Sequence, residues 1–196
     1  MRFESLMPDL GTPAPEFNLP GPAGRMYNLK DFRGARGLLV AFFCNHCPFV
    51  LHILDNFVAF AAEYKEKGIA IVAISSNDVV AFPEDGPEQM RQLAAKRGFT
   101  FPYLYDESQE AAKAFGAACT PDFFLYDGER KLYYRGRFDG SRPVTPHTPA
   151  TGIPVTGVDM RAAADALLSG RPAPETQISS MGCSLKWKPG NEPLWN

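Results

Sequence analysis

The segment Leu38-Leu39-Val40-Ala41-Phe42-Phe43-Cys44-Asn45-His46-Cys47-Pro48-Phe49 contains the change of pattern that decides the fold. Residues 38–43 form a short, continuous apolar run, which is typical of a strand covered on both faces. From Pro48 onward, apolar residues recur at intervals of three and four, which predicts an amphipathic helix. The pair Cys44 and Cys47 therefore lies in a turn between a buried strand and the start of a helix.

The elements around this turn predict an α/β protein. A second apolar run at residues 69–74 follows the helix, and the two runs with the helix between them form a βαβ unit with parallel strands. A mixed sheet flanked by helices accommodates the remaining elements. These are helices at 87–97, 108–115 and 159–168 and an antiparallel hairpin of 123–126 with 131–134.

Composition narrows the class of protein. The chain has 196 residues, 45% of them hydrophobic, and a formal net charge of −2, so neither disorder nor binding to nucleic acid or an anionic membrane is favoured. The longest apolar run, residues 38–44, is too short to span a bilayer, and residues 1–5 lack signal-peptide features. We therefore expect a cytoplasmic protein, in which the four cysteines are too few for a disulfide scaffold.

The position of the Cys-x-x-Cys pair favours redox chemistry. A helix N-terminus stabilises a thiolate, and two thiols this close can form a disulfide. One thiolate attacks a partner disulfide and the other resolves the mixed disulfide. We expect Cys44, at the exposed edge of the turn, to attack and Cys47 to resolve, while His46 stabilises a thiolate by charge or by a hydrogen bond.

Two other interpretations of the Cys44 and Cys47 pair are open. Cys44 and Cys47 can be inert structural thiols, or half of a zinc site that needs two more ligands. The sequence has no second Cys-x-x-Cys and no His-x-x-x-His, although Cys119, Cys183 or His46 can reach such a site through folding. We expect redox chemistry at this cysteine pair, which requires neither a metal nor an organic cofactor.

Residues 8–170 resemble the thioredoxin superfamily, and more narrowly its redoxin branch, which includes the AhpC/TSA peroxiredoxin-like proteins. The resemblance implies a thioredoxin-like fold with a central mixed sheet and helices on both faces. It also implies a domain at 1–170 and an extended tail at 171–196 that packs on it. The resemblance to the redoxin branch rests on residues 11–19, residues 29–34, the turn 43–49 and the segment Cys119-Thr120-Pro121-Asp122-Phe123-Phe124. A bacterial group within this branch, with Cys-Asn-His-Cys-Pro at the active site, also resembles the chain at Gly182-Cys183-Ser184-Leu185-Lys186-Trp187.

The resemblance assigns roles near Pro121. A cis-proline there would face the redox pair, and Thr120 and Pro121 would present backbone groups to an extended partner chain. Cys119 would then lie near Cys44 and take part in exchange, unless it is a small buried residue. Cys183 is either a resolving thiol, for Cys119 or for the pair, or a packed residue.

Three departures from better-known relatives limit what the resemblance implies. Cys-Asn-His-Cys replaces the usual thioredoxin motif, the strand at 38–43 carries no acid, and the segment Thr120-Pro121-Asp122 lacks the arginine of peroxiredoxins. We therefore predict a thiol–disulfide oxidoreductase that acts on disulfide-containing or dithiol proteins or on small thiols. The alternatives are a thiol peroxidase with Cys47 peroxidatic and Cys44 resolving, and a non-catalytic redox-sensing or metal-binding module.

Several polar residues are not expected to take part in the redox reaction. Asp78, Glu84 and Asp85 surround Pro83 and are best explained as a solvated loop. His52 is expected to be partly exposed or hydrogen-bonded on its helix. His147 is expected to face solvent. No motif bears on the oligomeric state.

Overall fold

A computed structural model describes residues 2–21, 23–146 and 149–195 of the chain, so His147 lies outside the described residues. The helices and strands, in chain order, are β1 (Arg2–Glu4), β2 (Asn18–Pro20), β3 (Met26–Asn28), β4 (Gly37–Phe42), α1 (Pro48–Glu66), β5 (Ile69–Ser75), α2 (Pro87–Arg97), β6 (Tyr103–Tyr105), α3 (Glu110–Phe115), β7 (Cys119–Thr120), β8 (Asp122–Asp127), β9 (Leu132–Arg135), α4 (Val158–Leu168) and β10 (Met181–Ser184). The predicted helices and the hairpin are all present, with ends that move by one or two residues.

The central sheet has five strands in the order β6-β5-β4-β8-β9. Strands β4, β5 and β6 are parallel, whereas β8 and β9 run antiparallel to their neighbours. This is the mixed sheet that the sequence predicts. Strand β6 was not predicted because Tyr103-Leu104-Tyr105 is short and follows a proline.

Both faces of the sheet are covered by helices, which confirms the predicted thioredoxin-like architecture. Leu39 and Ala41 of β4 face a core cluster that includes α1 and α4, while the alternate residues Leu38 and Val40 face a second cluster with α3. Because β4 is buried on both sides, its sequence is continuously apolar rather than alternating. Each fully buried leucine or phenylalanine side chain contributes about 1.5–3 kcal/mol to folding.

A second sheet lies beside the redox turn, in the order β1-β10-β7. Cys183 of β10 is opposite Thr120 of β7, and Gly182 is opposite Phe3 of β1. A Cβ atom at Gly182 would lie 1.9 Å from the carbonyl oxygen of Thr120, so only glycine permits this approach. The tail segment therefore contributes a strand where the sequence shows no periodicity.

The tail strand is attached by hydrogen bonds at both ends. Ser5 N donates to Ser180 O at 3.0 Å, and Leu185 N donates to Ala118 O at 3.2 Å. The predicted domain boundary at residue 170 stays a prediction. Within the described part of the chain, no helix is long and apolar enough to cross a membrane.

Candidate active site

The redox turn joins the end of β4 to the start of α1, as the sequence predicts. Cys47 is the N-cap residue of α1, with φ −66° and ψ 121°, and Pro48 begins the helix. Pro48 fits there because the first helical turn does not use its missing N–H. All four cysteines are free thiols in this structure.

Both thiols of the pair are buried. Cys44 is 1% exposed and Cys47 is 0% exposed, and both belong to the larger core cluster, against which Cys183 packs. The expectation that Cys44 lies at an exposed edge is therefore wrong. The sequence could not show this, because the cover comes from distant parts of the chain.

Thr120 contacts both sulfurs of the pair. Its Oγ1 lies 3.4 Å from Cys44 Sγ, and its carbonyl oxygen lies 3.1 Å from Cys47 Sγ, where it accepts a hydrogen bond when that sulfur is protonated. The Thr120–Pro121 peptide bond is cis, as the resemblance implies. The structure thus brings Thr120 and Pro121 to the redox pair, where a partner backbone was expected.

The two thiols have opposite electrostatic environments. Burial raises the pKa of Cys47, but hydrogen bonds from Cys183, Cys44, Thr120 and the N–H of Val50 outweigh it and lower that pKa to about 2. The pKa of Cys44 is raised well above its usual range, first by the hydrogen bond to Cys47 and then by burial. These directions favour Cys47 as the thiolate and Cys44 as its thiol donor, which is the reverse of the roles expected from the sequence.

His46 forms an ion pair with a buried carboxylate. Its Nδ1 lies 2.7 Å from Asp85 Oδ2 and 3.8 Å from the half-exposed Glu84. The contact with Asp85 raises the pKa of His46 above 6.5, although burial opposes the shift. His46 therefore acts on the thiolate of Cys47 by charge from a fixed position.

Asp85 is a site residue that sequence reasoning missed. It is 0% exposed, so its assignment to a solvated loop is wrong, although Glu84 is exposed as expected. Its carboxylate accepts hydrogen bonds from Asn45 N at 2.7 Å and from Asn77 Nδ2 at 2.8 Å. A buried carboxylate must be paired in this way, and here the pairing fixes the redox turn. Asp78 is also buried.

Asn77 links this network to the tail. Its Oδ1 accepts a hydrogen bond of 2.8 Å from Lys186 N, while its Nδ2 donates to Asp85. The sequence signal that could have indicated this role is the polar segment Ser75-Ser76-Asn77-Asp78 at the end of a buried strand. The site therefore contains four segments that are far apart in the chain: the turn, the loop after β5, the Thr120–Pro121 segment and the tail.

Cys119 faces away from the chemistry. Its Sγ donates to Pro121 O at 3.6 Å, and it is 0% exposed. Burial raises the pKa of its thiol well above the usual range. Because successive residues of a strand point to opposite faces, Thr120 faces the pair and Cys119 does not.

Cys183, in contrast, lies against the pair and is partly exposed. Its interaction with the Cys47 sulfur, together with burial, raises the pKa of Cys183, while the nearby Lys186 opposes the shift. Of the two cysteines whose roles the sequence left open, the structure brings only Cys183 into contact with the redox pair.

Two polar residues outside the turn complete the surroundings. Asp122, fully buried after Pro121, has its pKa raised by burial to about 7, although backbone N–H groups of Ala118 and Phe123 oppose this. It supplies a buried acid on the strand next to β4, where the sequence of β4 itself shows none. His52 lies on α1 with its Nε2 3.1 Å from Ser141 Oγ, which confirms the expectation of a hydrogen-bonded histidine.

Three side chains at the turn have the geometry to hold a metal ion. The ligand atoms of Cys44, His46 and Asp85 all lie within 4.8 Å of one another. A closed tetrahedral zinc site needs a fourth ligand. The prediction that no metal is involved stays a prediction.

The fold and the thiol site together define the class of protein. A Cys-x-x-Cys pair at the N-terminus of α1, beside a cis-proline on a mixed sheet, characterises a thioredoxin-fold oxidoreductase. The AhpC/TSA family matches residues 10–135, and the chain belongs to that family. This confirms the resemblance found in the sequence.

Individual relatives include both disulfide-exchange proteins and peroxiredoxins. The chain is 28% identical over 126 residues to the thiol-disulfide oxidoreductase ResA of Geobacillus thermodenitrificans, covering 63% of this chain and 66% of the relative. It is 30% identical over 137 residues to the peroxiredoxin Bcp of Escherichia coli K12, covering 66% and 80%. The crystal structure of an uncharacterized conserved protein from Geobacillus kaustophilus superposes with a TM-score of 0.91, at 50% identity over 97% of this chain and 98% of that one.

Proposed function

We propose that this protein is a thiol–disulfide oxidoreductase whose redox centre is the pair Cys44 and Cys47. The observation that carries the proposal is that Thr120 contacts both sulfurs, with its Oγ1 3.4 Å from Cys44 Sγ and its carbonyl oxygen 3.1 Å from Cys47 Sγ. Two such sulfurs, one with a lowered pKa and the other with a raised pKa, are positioned to act as nucleophile and partner in one disulfide. The names of relatives such as ResA support the same activity.

The pair exchanges two electrons with a partner disulfide. In the reductive direction, the Cys47 thiolate attacks a disulfide sulfur, and the second sulfur leaves as a thiolate that takes up a proton. Cys44, deprotonated, then attacks Cys47, so the Cys44–Cys47 bond forms and the first substrate sulfur leaves. The steps run backward when the oxidised pair meets a dithiol. His46, held by Asp85, stabilises the anionic Cys47 throughout.

The proposal is tested by peptide mapping combined with a reduction assay. After equilibration in a glutathione buffer, the oxidised protein should contain a Cys44–Cys47 disulfide. The wild type should reduce insulin with dithiothreitol as electron donor, whereas Cys44→Ser and Cys47→Ser should lose the acceleration. Cys119→Ser is the matched control. A protein that forms no Cys44–Cys47 disulfide under any buffer ratio would disprove the assignment.

Disulfide-containing or dithiol proteins, together with small thiols, are the proposed partners. A cytoplasmic protein would need its pair to be re-reduced by another dithiol or by a small thiol. Alkylation of intact cells followed by mass mapping of Cys44 and Cys47 tests this location. A largely reduced pair is expected in a reducing compartment.

A second candidate function, thiol peroxidase, is favoured by one observation. Cys47 combines a lowered pKa with a position before Pro48 at a helix N-terminus, and peroxiredoxin Bcp is a relative. Peroxide would oxidise Cys47 to a sulfenic acid, which Cys44 then resolves. Stopped-flow oxidation by hydrogen peroxide distinguishes the two functions: a rate equal to that of a free thiol excludes the peroxidase.

A further inference from the structure

The redox pair has no direct route to a partner. Cys44 is 1% exposed and Cys47 is 0% exposed, yet disulfide exchange requires one sulfur to approach another in line. A folded partner cannot bring its sulfur to either position while the cover stays in place. The proposed function therefore needs a group that connects the buried pair with the surface.

The tail strand β10 forms part of this cover. It pairs with β7 so that Cys183 lies opposite Thr120, the residue before Pro121. This is the backbone at which an incoming partner chain was expected, and the protein's own chain occupies it. Gly182 permits the close approach, since a Cβ there would lie 1.9 Å from Thr120 O.

Hydrogen bonds attach strand β10 and the residues that follow it to the active site. Leu185 N donates to Ala118 O at 3.2 Å, and Lys186 N donates to Asn77 Oδ1 at 2.8 Å. Asn77 also binds Asp85, which holds the redox turn. A tail attached through the same network as the turn keeps Cys183 beside the pair.

Cys183 has the contacts of an exchange thiol. It packs against the core cluster that contains Cys44 and Cys47, is partly exposed, and has the positive charge of Lys186 nearby. Cys183 is the most exposed of the three cysteines, and the neighbouring Cys47 thiolate can accept its proton as Cys183 attacks a partner disulfide. The charge of Lys186 stabilises the negative charge that develops on Cys183 in that step.

We propose, on the basis of the proposed function, that Cys183 is a third catalytic thiol that relays disulfides between protein partners and the buried pair. Cys183 attacks a partner disulfide as its proton passes to Cys47; the Cys183–partner bond forms, and the other partner sulfur leaves as a thiolate that takes this proton from Cys47. The Cys47 thiolate then attacks Cys183, and the second partner sulfur leaves as a thiolate that takes the proton of Cys44. Cys44 attacks Cys47, so the Cys44–Cys47 disulfide forms and Cys183 leaves as a thiolate. The partner gains two electrons, and the pair loses two.

Trapping variants test each intermediate. With insulin as the disulfide partner, Cys47→Ser should accumulate a mixed disulfide that peptide mapping places on Cys183. Cys44→Ser should accumulate an internal Cys47–Cys183 disulfide. A mixed disulfide on Cys44 in the first variant, or no Cys47–Cys183 bond in the second, would overturn the relay.

Kinetics separate the relay from the proposed function. Cys183→Ser should slow insulin reduction by about tenfold or more, because the buried pair loses its connection to the surface. Ser184→Ala, in the same strand, is the control for altered packing and should retain the wild-type rate. A Cys183→Ser protein that reduces insulin at the wild-type rate through an intact Cys44–Cys47 disulfide defeats the relay alone. A wild type that forms no Cys44–Cys47 disulfide defeats the proposed function itself.

Discussion

His46 Nδ1 lies 2.7 Å from Asp85 Oδ2, and the imidazole ring stacks on Phe82 with ring centroids 5.3 Å apart. The histidine of the redox motif is therefore fixed by a buried carboxylate and an aromatic ring. A protonated imidazole at this position contributes a positive charge beside the thiolate of Cys47. Because Asp85 also binds Asn45 N, the charge and the conformation of the turn depend on one residue.

Replacing the carboxylate should weaken the charge on His46. Asp85→Asn is expected to lower the pKa of His46, which the contact with Asp85 holds above 6.5. In the wild type, the protonated ring contributes stability that is fully present below pH 6.5 and is lost as the pH rises through the folded pKa. An NMR titration of the His46 ring measures the shift. Glu84→Gln, 3.8 Å away and half-exposed, is the control; an equal shift in both variants would contradict the role of Asp85.

Asp122 should make the stability of the protein depend on pH. Its pKa is about 7 in the folded state against 3.8 as a free group. The folded state therefore binds the extra proton between these values, and the free energy of unfolding falls as the pH rises from about 4 to 7, on the order of 1–4 kcal/mol in all. Asp122→Asn does not titrate. Denaturant unfolding at pH 5 and pH 8 measures the free energy of unfolding of both proteins. The stability of Asp122→Asn relative to wild type should be greater at pH 8 than at pH 5. The same difference in free energy at both pH values would refute this prediction.

Gly182→Ala should displace the tail strand. The new methyl group would lie 1.9 Å from Thr120 O, and such overpacking typically costs about 1–3 kcal/mol. We expect a lower free energy of unfolding and faster alkylation of Cys44 and Cys47 by iodoacetamide. Gly128→Ala is the control, since its Cβ would lie 3.5 Å from Arg36 O, an ordinary contact. Unchanged alkylation in a destabilised Gly182→Ala protein would show that another part of the chain covers the pair.

The reduced protein should contain one thiolate at neutral pH, on Cys47. Hydrogen bonds from Cys183 and Cys44 contribute to its lowered pKa, so removing either donor should raise that pKa. Thiolate absorbance near 240 nm, followed against pH, measures the shift. Cys47→Ser should abolish the low-pH titration, whereas Cys119→Ser should leave it unchanged. A low-pH titration that survives in Cys47→Ser and disappears in Cys44→Ser would restore the reverse order of the two cysteines.

Most of the fold follows from local patterns. The spacing of apolar residues within a segment predicts β4, β5, α1 and the hairpin of β8 and β9. Each of these elements buries the face on which its apolar residues lie. The strand β10 gives no such signal, because Met181-Gly182-Cys183-Ser184 is only four residues long and contains a glycine. Its conformation depends on pairing with β1 and β7, which are distant in the chain.

The candidate site divides in the same way. The sequence by itself determined that two thiols stand at the start of a helix, because the spacing of Cys44 and Cys47 and the change of period at Pro48 are local properties. Only the tertiary structure decided which thiol is stabilised as the anion, that Asp85 holds His46, and that Cys183 packs against the cluster that contains the pair. Burial and hydrogen bonding determine these properties, and both depend on residues brought together from the turn, the loop after β5 and the tail.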